Sequence, residues 1–174
     1  KRQALEREDP RDALIGAASI ADIPRNGRVG SASQRRQAQL LAVRPDLNVV
    51  LFRGNVATRI DKIAAGEADV TLLAPAGLKR LGRADAADAI LNTDEMLPSA
   101  GQGVIVIARC EGNAAAAQVL APPNHAESLL CLHAERAMLD TLDGTCRTPI
   151  GGLAQMEVYL LRLTGLGGGS GGLI

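Results

Sequence analysis

Short apolar runs alternate with amphipathic segments over the first eighty residues of the chain. The runs 47–52 and 70–73 are apolar and flanked by polar residues, a pattern typical of strands that are buried on both faces. The stretch 27–30 (GRVG) is predicted as a third, shorter strand. We therefore expect three buried strands in this part of the chain.

Each predicted strand is followed by a segment with helical features. Ser33 is placed to cap a helix over 34–43, and Asn55 or a neighbour caps a second helix over 56–65. A third, shorter helix is predicted near 78–81. The residues that the helical period places on or near the buried faces are Leu40, Leu41, Val43, Ile60, Ile63 and Ala64.

This order of elements predicts an α/β fold with a parallel sheet and right-handed crossovers. Ligands of such sheets bind beyond the carboxyl ends of the strands. Three basic segments stand at those ends, namely 31–36 (SASQRR), 53–59 (RGNVATR) and 77–80 (GLKR). The sequence therefore predicts a cleft that holds several carboxylates or phosphates.

The second half of the chain has a less regular pattern. A strand is predicted over 104–108 and a helix around 114–120. The prolines at 122–123 break the pattern and indicate a domain boundary. A long helix over 126–142 and a strand over 158–163 are predicted after it.

Composition narrows the class of ligand. The 174 residues have a formal net charge of zero, which argues against a ligand such as double-stranded nucleic acid, whose binding proteins are usually basic. The aromatic fraction is 1%, which argues against single-stranded nucleic acid, whose bases stack on aromatic side chains. Three widely spaced cysteines form neither a disulfide framework nor a zinc pattern, which favours a reducing, cytoplasmic compartment. No apolar run approaches the ~20 residues of a membrane span. Small anionic ligands fit this balance best.

The first basic segment has two interpretations. The hydroxyls of Ser31 and Ser33 can cradle an anion at a helix N-terminus, and Arg35 and Arg36 add bidentate carboxylate recognition. Adjacent helical residues point about 100° apart, so we expect one arginine at most to face the cleft. The alternative is an ordinary N-cap with solvated arginines.

The other two segments are open to the same alternatives. Arg53 stands at a strand end and Arg59 lies one turn into the next helix, which suits either an anion site or a turn with surface charges. Lys79 and Arg80 are more typical of a solvated short helix. Cys146, in a glycine-containing loop beside Arg147, is either a reactive thiolate or a small buried residue.

Seven short motifs follow one another along the chain. They are 8–13 (EDPRDA), 33–37 (SQRRQ), 53–59 (RGNVATR), 76–82 (AGLKRLG), 101–103 (GQG), 134–137 (AERA) and 144–151 (GTCRTPIG). On these residues the chain resembles the porphobilinogen deaminase family, also called hydroxymethylbilane synthase, over roughly residues 6–164.

The resemblance implies an α/β fold with doubly wound lobes like those of periplasmic binding proteins, plus a small α+β C-terminal domain. The implied boundaries are a remnant of domain one and a hinge at 1–8, domain two at 9–97, a returning segment of domain one at 98–121, and part of domain three at 126–174.

The resemblance also implies a chemistry. Four porphobilinogen molecules condense, each losing ammonia, into the linear tetrapyrrole hydroxymethylbilane on a dipyrromethane cofactor. Cys146 would carry this primer through a thioether. The residues implied to bind the carboxylates of the cofactor and growing chain, or to line their cleft, are Ser31, Ser33, Arg35, Arg36, Arg53, Arg59, Gly77, Arg80 and Gln102.

The family's catalytic aspartate belongs to an N-terminal segment that is absent from this sequence, so neither Asp9 nor Asp12 is assigned that role. We expect a longer natural protein, cytoplasmic and monomeric, that binds neither a membrane nor nucleic acid. Two alternatives remain: a lobe that binds polycarboxylates without turnover, and a phosphate- or RNA-binding module whose affinity collapses with salt.

Overall fold

Ten strands and five helices make up the part of the chain that the computed structural model describes, residues 2–145, 147–169 and 172–173. The strands are β1 (Arg2–Ala4), β2 (Asp12–Ile15), β3 (Arg28–Gly30), β4 (Asn48–Val50), β5 (Val70–Leu73), β6 (Ala89–Leu91), β7 (Val106–Ala108), β8 (Ile150–Glu157), β9 (Leu160–Gly169) and β10 (Gly172–Leu173). The helices are α1 (Gln34–Val43), α2 (Val56–Ala64), α3 (Pro75–Arg80), α4 (Ala114–Leu120) and α5 (Ala126–Thr141), with a 3₁₀ turn at Ala84–Ala86.

The central sheet has the strand order β4-β3-β5-β2-β6. β3 runs parallel to β4 and β5, which confirms the three predicted parallel strands. β2 and β6 were not predicted, and β2 is antiparallel to both β5 and β6. Since Ala13 pairs with Leu73, the start of β2 lies at the carboxyl end of β5. The antiparallel strand therefore brings Asp12 to the predicted ligand edge.

The predicted helices α1 and α2 form with their expected caps. Ser33 and Asn55 are the N-cap residues, each accepting from a backbone N–H three residues on. α1 has the predicted bounds, but the expected burial of Leu41 and Val43 is wrong, because these side chains are 37% and 62% exposed. Within α1 the side chains that become buried are those of Leu40 and three polar residues.

The core lies on both faces of the sheet because alternate strand residues point to opposite sides. Leu14 and Leu72 belong to one apolar cluster, together with Leu40 of α1. Ala13 and Leu73 belong to the other cluster, which contacts the apolar side chains of α2. The predicted inward positions Ile60 and Ile63 are among these contacts, whereas Ala64 is exposed.

A two-stranded ribbon joins the front of the chain to residues beyond 100. β1 and β7 pair antiparallel, and two backbone hydrogen bonds of 3.0 Å, from Leu5 to Ile105 and from Glu8 to Gly103, extend the ribbon. Gly103 has φ +83°, and a Cβ there would lie 2.4 Å from the carbonyl oxygen of Glu8. Glycine is therefore required at this close approach.

The last part of the chain is an antiparallel β8–β9 hairpin with α5 packed against it. The strand predicted over 158–163 begins later, since Glu157 pairs with Leu160 and the two residues between them form the turn. Val158 takes φ +51° in that turn. None of the helices in the described residues is long and apolar enough to cross a bilayer.

Candidate anion site at the carboxyl edge of the sheet

The predicted site residues stand where the parallel strands end. Ser31 follows β3, Arg53 lies just beyond β4, and α3 follows β5. The Ser31 side chain is buried, and its hydroxyl accepts the Ser33 N–H at 3.1 Å. The Ser33 hydroxyl in turn accepts the Arg36 N–H at 3.4 Å. Both hydroxyls therefore organise the start of α1.

Arg35 and Arg36 converge on one buried carboxylate, that of Asp12. Arg35 Nη1 donates to Asp12 Oδ2 at 2.7 Å, while Arg36 Nη2 and Nε donate to Oδ1 at 2.6 and 3.1 Å. The backbone carbonyls of Leu97 and Leu72 each accept one further bond from these guanidiniums. Although adjacent helical positions point about 100° apart, the two long side chains bend to a common acceptor.

The Asp12 cluster, as we call Asp12, Arg35 and Arg36, carries one net positive charge. Burial alone raises the pKa of Asp12, but the charges of Arg36 and Arg35 and their hydrogen bonds bring it below its usual value. Burial lowers the pKa of Arg35, against the opposing effect of Asp12. Arg35 Nε is also buried and has no hydrogen-bond partner in the described part of the chain. The cluster is thus an internal salt bridge with one unmatched donor.

The Gln102 side chain is used inside the protein. Its amide nitrogen donates to the carbonyls of Pro10 and Arg11 and to Asp12 Oδ1, at 2.7, 2.8 and 3.0 Å. Its amide oxygen lies 3.5 Å from Arg35 Nη2. Gln102 therefore joins the start of β2 to the Asp12 cluster.

The remaining predicted cations lie further out. Arg59 is half-buried and donates from Nε to the carbonyl of Gly54 at 3.1 Å; burial, and then the charge of Arg36, lower the pKa of Arg59. Arg53 and Arg80 are exposed and pair with no acid among the described residues. A Cβ at Gly77 would meet Val56 only at an ordinary 3.8 Å. Arg80 also lines a groove of about 320 Å³, whose other walls are Leu5, Glu6, Glu8, Ala76, Lys79, Gly103 and Ile105.

A second buried pair links the ribbon to α5. Glu135 is fully buried and accepts Arg7 Nη1 at 2.6 Å and Nη2 at 3.1 Å. The same carboxylate accepts the backbone N–H groups of Gly101 and Ala154 at 2.6 and 2.7 Å. Arg7 Nε donates to the carbonyl of Gln102 at 3.0 Å, which connects this pair to the Asp12 cluster. In the sequence, only the AERA motif at 134–137 drew attention to Glu135, and it gave no sign of the pairing with Arg7.

Cys146 lies outside the described residues. Around it, the Thr145 N–H donates to Thr148 Oγ1 at 2.7 Å and the Arg147 N–H to Thr145 Oγ1 at 3.1 Å, directly after α5. Of the other cysteines, Cys110 is exposed and Cys131 is buried. The described residues contain no group of side chains suited to hold a metal ion.

The sequence matches two family models and several known proteins. The model described as "Porphobilinogen deaminase, dipyromethane cofactor binding domain" matches residues 2–118, and the one described as "Porphobilinogen deaminase, C-terminal domain" matches 129–169. Curated proteins named porphobilinogen deaminase from Nitrobacter hamburgensis and Paracoccus denitrificans are each 49% identical to the chain, over 93% and 92% of its length. One from Nitrobacter winogradskyi is 51% identical over 93%. The chain spans about half the length of these relatives, 52% in each case.

Proposed function

The chain belongs to the porphobilinogen deaminase family, and from this we propose that its protein condenses four porphobilinogen molecules into hydroxymethylbilane, a step of tetrapyrrole biosynthesis. Each condensation breaks the bond between the aminomethyl carbon and its nitrogen and joins that carbon to the α-carbon of a pyrrole, which gives up a proton; the nitrogen leaves as ammonia. Water supplies the hydroxyl group of the product when the tetrapyrrole is released. The observation that carries the proposal is the Asp12 cluster at the carboxyl edge of the sheet, whose motif belongs to the matched segment.

The residues present fit a dipyrromethane cofactor. Such a group carries several carboxylates, and the unmatched Arg35 Nε in a cluster of net positive charge suits one of them. Arg53, Arg59 and Arg80 would hold further carboxylates, with Ser31, Ser33 and Arg36 shaping the start of α1. Gly77 and Gln102 would line the cleft, and Cys146 would hold the group by a thioether. When bound, the cofactor supplies the pyrrole to which the first substrate is joined.

The chain's own residues bind and orient in this proposal. Asp12 is fully buried and accepts four hydrogen bonds, from two arginines and Gln102. A carboxylate engaged in this way does not serve as the acid that protonates a leaving amine. The acid–base step is therefore assigned to none of the residues described above.

The proposed organisation follows the family. Residues 9–97 form a doubly wound lobe like those of periplasmic binding proteins, 98–121 return to domain one, and 126–174 form part of the cofactor-carrying domain, with 1–8 as remnant and hinge. We propose a cytoplasmic monomer that acts on small-molecule substrates.

The test is the intact denatured mass of the protein, followed by mapping of the modified peptide. A dipyrrole-sized adduct on the peptide that contains Cys146 is expected, with loss of the adduct in Cys146→Ser. Cys110→Ser is the matched control, because Cys110 is an exposed thiol and should leave the adduct in place. An unmodified chain that binds polycarboxylates would instead support the binding lobe without turnover.

A further inference from the structure

The two adjacent arginines of the Asp12 cluster are bonded in different ways. Arg36 uses all three of its nitrogens internally: Nε and Nη2 donate to Asp12 Oδ1, and Nη1 donates to the carbonyl of Leu72 at 2.8 Å. The edge of its guanidinium formed by Nε and Nη2, which grips carboxylates side-on, is therefore already occupied by Asp12.

Arg35 is held by the opposite end. Its Nη1 donates to Asp12 Oδ2 at 2.7 Å and to the carbonyl of Leu97 at 2.6 Å. Its Nε has no partner among the described residues, and its Nη2 has only the 3.5 Å contact with Gln102. The Nε/Nη2 edge of Arg35 is thus buried, and its hydrogen-bonding capacity is the least used inside the protein.

The surroundings favour an anion at this edge. The cluster contains two guanidiniums and one carboxylate, and the Arg35 side chain is only 4% exposed. A buried donor without a partner is destabilising, so an arriving acceptor recovers the hydrogen bond as well as the charge attraction. The charge of Arg36 also contributes to the lowered pKa of Arg59, so Arg59 is a further cation within electrostatic reach of Arg36.

We propose that Asp12 is a positioning residue for the carboxylate site: it fixes Arg35 through Nη1 so that the Nε/Nη2 edge receives a ligand carboxylate, while Arg36 is its internal counter-ion. The identity of the ligand, a carboxylate of the pyrrole substrate or cofactor, rests on the proposed function. The division of labour between the two arginines rests on the hydrogen bonds alone.

The variant Asp12→Asn distinguishes two roles of Asp12, the positioning of Arg35 and the balancing of the arginine charges. The side-chain oxygen of an asparagine at position 12 would still accept the three hydrogen bonds from Arg36 and Gln102. Its NH₂ group would then face Arg35 Nη1, and because both groups are donors no hydrogen bond can form between them. Arg35 then loses its anchor while the net positive charge of the cluster rises. If Asp12 only balances charge, the variant binds anions more tightly; if Asp12 positions Arg35, the variant binds carboxylates more weakly.

The experiment is calorimetric titration with porphobilinogen and with sulfate, a dianion without the planar carboxylate. We expect Asp12→Asn to weaken porphobilinogen binding at least about tenfold, the effect of one hydrogen bond to a charged group, and not to weaken sulfate binding. Asp69→Asn is the matched control, since Asp69 pairs with Arg28 at the surface and should leave both affinities unchanged. Unchanged or tighter porphobilinogen binding by Asp12→Asn overturns the proposal.

A measurement on the unsubstituted chain covers the case in which Asp12→Asn does not fold. The side-chain Nε–H resonances of Arg35 and Arg36 are followed by NMR while propionate or porphobilinogen is added. The Arg35 resonance is expected to move and the Arg36 resonance to stay, and the reverse result overturns the proposal. If propionate moves Arg35 but porphobilinogen does not bind, the proposed function fails and the assignment of the carboxylate to Arg35 stands. If porphobilinogen binds without moving Arg35, Asp12 has no carboxylate-binding arginine to position, so the proposal fails and the proposed function stands.

Discussion

Replacing Arg7 by methionine tests the buried pair that links the ribbon to α5. The Glu135 side chain is fully buried and that of Arg7 is 13% exposed, so the substitution leaves a carboxylate in the interior without its cation. Two backbone N–H groups remain bonded to it, from Gly101 and Ala154. Removal of one member of a buried ion pair costs about 3–5 kcal/mol, a large part of the ~5–15 kcal/mol that stabilises a typical domain.

This loss is readily measured by thermal unfolding. In a chain of this size 1 kcal/mol shifts the melting temperature by about 2–4 °C, so we expect Arg7→Met to lower it by about 6–20 °C. Arg28→Met is the matched control, because the Arg28–Asp69 pair has side chains 47% and 34% exposed and surface pairs contribute about 0–1 kcal/mol.

Urea unfolding of the same two variants gives the free-energy differences directly. If Arg7→Met loses no more free energy of unfolding than Arg28→Met, the pair does not stabilise the fold and the reasoning is wrong. The double variant Arg7→Met/Glu135→Leu should lose less than the sum of the two single changes, because it leaves no unpaired buried charge.

Three further predictions concern two glycines and a carboxylate. Gly30→Ala should lower the free energy of unfolding by about 1–3 kcal/mol, because its Cβ would lie 2.4 Å from the Phe52 ring; urea unfolding checks this, and a neutral result would show that the ring moves aside. Gly103→Ala should cost more than Gly66→Ala in the same assay, since both have positive φ but only the former faces a backbone oxygen at 2.4 Å; equal losses would contradict the steric argument. The pKa of Asp12 is lower in the folded chain than in the unfolded chain, so the ionised carboxylate stabilises the fold above about pH 4. This stabilisation is lost as the pH falls through the folded pKa. Measured against pH, the free energy of unfolding should therefore fall less steeply below about pH 4 in Asp12→Asn than in the unsubstituted chain, and an unchanged slope would refute the assignment.

The helices of the first half were predictable because their signals are local. Ser33 and Asn55 each cap the helix that follows them, and α1 was predicted with its observed bounds. The strands β2 and β6 are only four and three residues long and carry no run that stands out from the charged and alanine-rich sequence around them. Glycines at 151 and 152 hid β8 in the same way, since glycine weakens a strand pattern.

The sequence predicted where in the fold the basic segments lie, but not which side chains form hydrogen bonds with them. The arginine segments lie at the carboxyl edge because parallel strands share that edge, as the sequence indicated. The acid between Arg35 and Arg36 lies 23 and 24 residues earlier in the chain, on a strand whose antiparallel direction no local pattern reveals. Gln102 was expected in the cleft, but it lies 90 positions after Asp12, and no local pattern indicated the hydrogen bond between them.

The Arg7–Glu135 pair joins residues 128 positions apart, which has a consequence for the order of folding during synthesis. The strands of the central sheet all lie between residues 12 and 91, so that sheet can form while the rest of the chain is still being made. Translation at about 5–20 residues per second delivers Glu135 some 6 to 26 s after Arg7. β1 lacks its partner strand until β7 has been made, and Arg7 lacks its carboxylate until Glu135 follows. The stretch 2–8 is thus fixed only after the residues of the central sheet have been made, and until then a chaperone or protease would meet it unpaired.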